Sequence, residues 1–175
     1  MRFGDFLKAT VLLSAASATL LAALTVIGLS SSFNNTAAYV CIAWWALATA
    51  IGTVLGARSE ATSAIAGLLA AAKHQHMLPE LSPARTIANR LWPLLLVTLG
   101  AGALSVVAAQ IGGIAAGFAI IWALAWRRQE AAVAAIEERD GVRFYVDKTS
   151  PLQAIRLVRT PGFGGDFLHT HSPAA

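Results

Sequence analysis

Charge is missing from two long stretches of this chain. No Asp, Glu, Lys or Arg lies between Lys8 and Arg58, a tract of 49 residues, or between Arg90 and Arg127, a tract of 36. Water-soluble domains do not carry so much uncharged chain. A bilayer demands it, because a charge at its centre costs roughly 2.5–3.5 kcal/mol even on permissive insertion scales. Histidine is absent from both tracts as well. Proton relays and ion pathways through membranes are built from ionisable side chains. A four-helix drug/proton antiporter of the small multidrug type needs a membrane carboxylate, and this chain has none. Cysteine is nearly absent too. Cys41 stands alone, which excludes an internal disulfide and leaves a small packing residue. There is no nucleotide-binding glycine loop, no HExxH, and no serine, histidine and acid in a convincing order. An enzyme, a bound cofactor and a nucleic-acid partner are therefore not expected.

What is present agrees. Hydrophobic residues make up 57% of the 175, charged residues 13%, and mean hydropathy is +0.63, far from the soluble average. A spanning helix needs about 20 apolar residues, so each tract holds two. The first divides at Ser30–Thr36, turn-prone and uncharged, with helices expected over about 6–29 and 37–56. The run continues too far past Ala16-Ser17-Ala18 for that stretch to be a signal-peptide cleavage site. The second tract must turn at Gln110-Ile111-Gly112-Gly113, leaving two short arms of about 26 Å at 1.5 Å per residue. The expectation is an all-α membrane protein: a four-transmembrane-helix bundle with cytosolic helical extensions and a small C-terminal β-hairpin. Its segments are a first transmembrane hairpin (1–57), a cytosolic helical connection (58–90), a second transmembrane hairpin (91–126), a cytosolic helix extension plus β-hairpin (127–163) and a disordered tail (164–175).

The connection predicts a helix over 59–73 with Ile65, Leu68 and Leu69 on one face. Pro79 and Pro83 flank a rigid extended piece, and Ser82-Pro83 starts the third membrane helix with proline in its first position. Pro93 predicts a kink. The fourth helix is expected to run on through Arg139, with Asp140-Gly141 closing it. Beyond it the period becomes two: Val142, Phe144 and Val146 alternate with Arg143, Tyr145 and Asp147, and Ile155–Arg159 offers a second short strand.

All thirteen Lys and Arg fall in the N-terminus, the 58–90 connection or the stretch after Trp126. With four crossings these share one face, and the positive-inside rule makes it cytoplasmic. Both termini are then cytoplasmic and the protein is multi-pass. Arginine over lysine, ten to three, and abundant alanine point to a bacterial plasma membrane. Trp92 and Trp126 would mark the cytoplasmic interface and Tyr39 the outer one.

Small residues carry the packing signal. Ser14, Ala18 and Ala22 repeat at four-residue spacing, and Gly52/Gly56 and Gly113/Gly117 each form GxxxG, a pattern that lets helix backbones approach closely. The two glycine pairs lie at different depths, so each is expected to pack on the first or third membrane helix or across a subunit boundary. His74/His76 and His169/His171 form two H-x-H pairs that would hold a metal only if they converged; they read as solvated loop residues.

Arg143, Lys148, Arg156 and Arg159 on the hairpin are the candidate lipid or partner contacts, each contributing about 1 kcal/mol near an anionic leaflet. The expected function is non-enzymatic: a polytopic membrane protein that anchors or assembles a partner through its cytosolic hairpin. Its partners would be the lipid bilayer and a protein partner or a second copy of itself. The alternative is a small oligomeric transporter or lipid-translocating protein, its path lined by Ser14, Ser17, Thr19, Thr25, Thr49 and Thr53.

Overall fold

A computed structural model describes residues 1–32, 35–57, 61–74, 83–147 and 153–161. The helices are α1 (Phe3–Ser32), α2 (Asn35–Leu55), α3 (Ser63–Ala70), α4 (Pro83–Ser105), α5 (Ala109–Trp126) and α6 (Gln129–Arg139). The strands are β1 (Lys73–His74), β2 (Val142–Val146) and β3 (Leu157–Pro161). Four helical stretches, with α5 and α6 counted as one, are long and apolar enough to cross a membrane.

On α1 the buried positions are Phe3, Phe6, Leu7, Thr10, Ser14, Ser17, Ala18, Leu21 and Thr25. They repeat at three and four, the spacing that keeps one stripe of a helix against its neighbours. Large apolar side chains point away from it, among them Leu12, Leu20 and Ile27, as do Val40 and Ile42 on α2 and Leu99 on α4. The bundle interior is instead made of small residues: Gly112, Gly113, Ala116, Gly117, Ala119 and Ala123 are the buried positions of α5. Small inside and large outside suits a hydrocarbon solvent, where close backbone contact replaces the hydrophobic drive.

That composition makes α5 the hub. It packs along α1, α2 and α4, whereas α1 and α2, adjacent in sequence, barely touch. The glycine pairs follow from this. Both GxxxG pairs sit at the α2–α5 interface of one chain, where the sequence had suggested packing on the first or third membrane helix or a subunit boundary. A Cβ on Gly52 would lie 2.8 Å from Leu124 Cβ, and one on Gly56 would collide with the Leu124 carbonyl. At the other end a Cβ on Gly113 would come within 2.6 Å of Cys41 Sγ, and one on Gly117 would overlap the Trp44 indole. The pairs do not meet each other. Each receives a bulky residue of the opposite helix, so two different depths serve one interface.

Several boundaries differ from the sequence expectation. Ser30–Ser32 are helical and α2 begins at Asn35. The Ser30 hydroxyl bonds the Ile27 carbonyl at 2.8 Å, a back-bond that lets serine continue a helix. The turn of the second hairpin lies at Val106–Ala108 and not at Gln110–Gly113, which is the first turn and a half of α5. Gly112 and Gly113 are there for close approach to Thr25 and Cys41, not for turning. Pro83 opens α4 as expected, and the helix runs through Pro93. The fourth apolar helix breaks at Arg127–Arg128 before α6 begins, and α3 is shorter than expected because the chain joins a sheet at Lys73.

That sheet has three strands in the order β1-β3-β2. β2 and β3 form the expected antiparallel hairpin, with Phe144 opposite Arg159 and Val146 opposite Leu157. β1 adds parallel to β3, an arrangement two residues long that no local pattern announced. Gly141, at φ +61°, turns the chain from α6 into β2, where a left-handed residue is needed.

Candidate functional site

The sheet, α3, α6 and the first two turns of α1 form a cap at one end of the bundle. Its core joins Phe3, Phe6 and Leu7 of α1 with Ile65 and Leu69 of α3, Val133 of α6 and Phe144 of β2. Val142, Phe144 and Val146 all face this core, as their alternation required. An isolated hairpin is marginal in water; this one is stabilised by burial against the helices beneath it.

Polar contacts set the cap's geometry. Glu137 is the centre of the largest group. Its side chain is 3% exposed, and it accepts from Arg2 Nη2 at 3.2 Å, Arg143 Nη1 at 3.2 Å and the Phe144 N–H at 2.8 Å. One carboxylate thereby ties α1, α6 and β2 together. Gln129, almost wholly buried, accepts the Thr62 N–H at 3.0 Å through Oε1 and so holds the start of α3, whose N-cap is Thr62. Arg128 donates to the Ala57 carbonyl at 2.9 Å, satisfying a carbonyl just past the end of α2. Lys8 and Glu130 pair at 3.9 Å on the surface, worth little in water. Arg139 bonds Asp140 at 2.9 Å, which holds the Asp140 carboxyl below its ordinary value and raises the Arg139 guanidinium.

The four cations singled out on the hairpin do not form one patch among the described residues. Arg143 is engaged by Glu137. Arg159 lies opposite Phe144 and Arg143 opposite Thr160, and directly paired residues share a face of the sheet, so the two arginines point to opposite faces. Arg159 is half-buried, and its Nε lacks a partner among the described residues. Arg156 is exposed just before β3. Lys148 lies outside the described residues, as do His76, His169 and His171. His74 belongs to β1. No group of three or more His, Cys, Asp or Glu among the described residues is placed to hold a metal.

Within the bundle, the small polar residues offered as a transport path divide into two sets. Ser14, Ser17 and Thr25 are buried. Thr25 bonds the Leu21 carbonyl at 2.8 Å and Ser17 lies 3.0 Å from the Thr98 hydroxyl, while Ser14 Oγ is buried without a partner. Thr19, Thr49 and Thr53 bond carbonyls of their own helices on the outside. Ala18 is buried beside them and Ala22 packs against Leu21 and Ala116.

Sequence reasoning missed Glu137, Gln129, Trp44 and Trp45. The signal for the first two existed: Gln129, Val133 and Glu137 fall at i, i+4 and i+8, which puts two polar residues on the apolar stripe of α6. For the tryptophans there was none. Their indole N–H groups donate to the Ile114 and Gly113 carbonyls of α5 at 3.1 and 2.8 Å. Comparison of the chain with protein-family models, curated proteins and solved structures gives no match.

Proposed function

We propose that this chain is a non-enzymatic, multi-pass protein of a bacterial plasma membrane that anchors or assembles a protein partner through its cap. In this reading the four apolar helices cross the bilayer, the cap and both termini are cytoplasmic, and the Val106–Ala108 turn faces outward. The observation that carries it is the fate of the small polar residues. A transport path without charges needs hydroxyls lining a cavity; here they are packed shut or bonded to their own helices on the outer surface. Among the described residues the ionic contacts are concentrated instead in the cap, where Glu137 ties the sheet to the bundle. A rigid, sheet-bearing platform on a membrane anchor suits holding a partner. Arg156, exposed at the start of β3, marks its contact face.

The test is site-specific photo-crosslinking in cells. A photoreactive residue at position 156 should give one discrete protein adduct, and one at the outward-facing Leu96 should give none. The purified chain in vesicles should move neither ions nor lipids. Flux above empty vesicles, or no adduct from any exposed cap position, would overturn the reading in favour of the transporter.

A further inference from the structure

An apolar groove of the bundle runs between α4 and α5. It has a volume of about 660 Å³, a floor at Leu21, and walls that include Leu94 and Val97 on one side and Ile114 and Phe118 on the other. It exists because α5 offers Ala115 and Ala119 where larger side chains would have met α4. From Trp122 to Ile111 it follows twelve residues of α5, a rise of about 16 Å at 1.5 Å per residue. At the end nearest the cap it is lined by Arg90, the one charged residue in its wall. Arg90 Nη1 donates to the Gln153 carbonyl at 2.5 Å, whereas Nη2 is buried with no hydrogen-bond partner among the described residues. Asp147 is the acidic group that acts on it, without a bond to Nη2.

A cation at the head of an apolar groove, with a donor unmatched among the described residues, has the chemistry of a phospholipid site. Guanidinium recognises phosphate oxygens by charge-assisted hydrogen bonds, and an apolar groove open to the side takes a hydrocarbon chain. We propose that the α4–α5 groove holds one anionic phospholipid, with an acyl chain between Leu94, Val97, Ile114 and Phe118 and its phosphate at Arg90. A second copy of the chain fits less well, since a helix entering the groove would have to bring an anion to Arg90, and the two charge-free tracts contain none. The inference rests on the membrane placement proposed above but not on the protein partner.

Native mass spectrometry of the full chain in mild detergent tests it, with phosphatidylglycerol and phosphatidylcholine of identical acyl chains as probes. The wild type should retain one phosphatidylglycerol with about a five- to tenfold preference over phosphatidylcholine, the range expected of one well-placed cation. Arg90→Gln should abolish the preference, Arg90→Lys should keep most of it, and Arg156→Gln should not alter it. Ala115→Phe, which fills the groove, should lose the bound lipid of either kind while its thermal unfolding stays cooperative. Glycerol phosphate, which has the headgroup charge and no chain, should not compete. The proposal is overturned if Arg90→Gln keeps the preference, if Ala115→Phe keeps the lipid, if glycerol phosphate competes, or if the groove's occupant proves to be a second chain. Recovery of the protein in the soluble fraction without detergent would instead sink the membrane placement itself, a result read before any lipid is added.

Discussion

Trp45 of α2 donates its indole N–H to the Gly113 carbonyl of α5 at 2.8 Å. The pair lies beside Gly117, whose missing side chain makes room for the neighbouring Trp44. Glycine and tryptophan are thus two halves of one device: the glycines bring backbone within reach, and the indoles fix the register. Replacing Trp45 by Phe keeps most of the volume and removes the donor. Interhelical hydrogen bonds in membrane proteins average about 0.6 kcal/mol and reach about 1.7, so unfolding in mild detergent should fall by an amount in that range. Unchanged stability would mean that the contact contributes nothing to α2–α5 association.

The glycines differ from one another in what surrounds them. A methyl group on Gly56 meets the Leu124 carbonyl, whereas one on Gly100 meets nothing. Gly56→Ala should therefore cost about 1–3 kcal/mol through overpacking. Gly100→Ala should be neutral or stabilise by up to about 1 kcal/mol, since it only restricts the unfolded chain and improves helix propensity. The double variant Gly52→Leu, Gly56→Leu should lose thermal stability with its oligomeric state unchanged. A shift in oligomeric state on size-exclusion with light scattering would place these residues between subunits instead.

Glu137 offers a test of the cap. Its carboxylate is buried, but both arginines are about half exposed, so water compensates part of what they lose. Glu137→Gln keeps an acceptor for the Phe144 N–H and should cost about 1–3 kcal/mol; Glu137→Ala strands that N–H as well and should cost more. Amide exchange at Val142–Val146 should speed up in both, ahead of exchange in α5. Equal acceleration in the cap and α5, or no change in the cap, would show that Glu137 does not hold it.

Asp140 links stability to pH. Its carboxyl is held below the ordinary value chiefly by the hydrogen bond from Arg139. A depressed carboxyl contributes stability above its unfolded pKa of about 3.9, and that contribution is lost as pH falls through the folded value. Side-chain NMR should place the Asp140 midpoint below that of an unfolded aspartate, and Arg139→Gln should bring it back up. A midpoint that ignores the substitution would refute the pairing.

Orientation can be read with fused reporters. A periplasm-active enzyme inserted at Val107, or near Asn34 between α1 and α2, should be active, and the same enzyme fused after Ala175 should be silent. The reverse pattern would invert the proposed topology and move the cap to the outside.

The elements were legible wherever the physical cause was local. Two charge-free tracts gave four apolar helices because solvent sets that requirement residue by residue. Ser82-Pro83 marked the start of α4, Asp140-Gly141 the end of α6, and alternation at Val142–Val146 the buried face of β2. Turns read from composition fared worse. Gln110–Gly113 looked like a reversal because glycine serves both turning and close packing, and only the neighbours, Thr25 and Cys41, decide which. The break after Trp126 was equally silent, since Arg127–Arg128 is a plausible helix continuation until Arg128 finds the Ala57 carbonyl.

The functional surface was the least legible part. Four cations close in sequence suggested one patch, yet sheet register sends Arg143 and Arg159 to opposite faces, and Glu137 takes Arg143 for the cap. What the sequence determined by itself was which segments form long apolar helices and the period of each segment, because both depend on the residues' own side chains. Tertiary structure alone decided that α5 joins α1 to α2, that Lys73–His74 extends the sheet, and that Arg90 heads an apolar groove. These depend on which distant surfaces fit. In an interior built of alanine and glycine, fit is set by the shapes of facing helices, and no single stretch of chain records it.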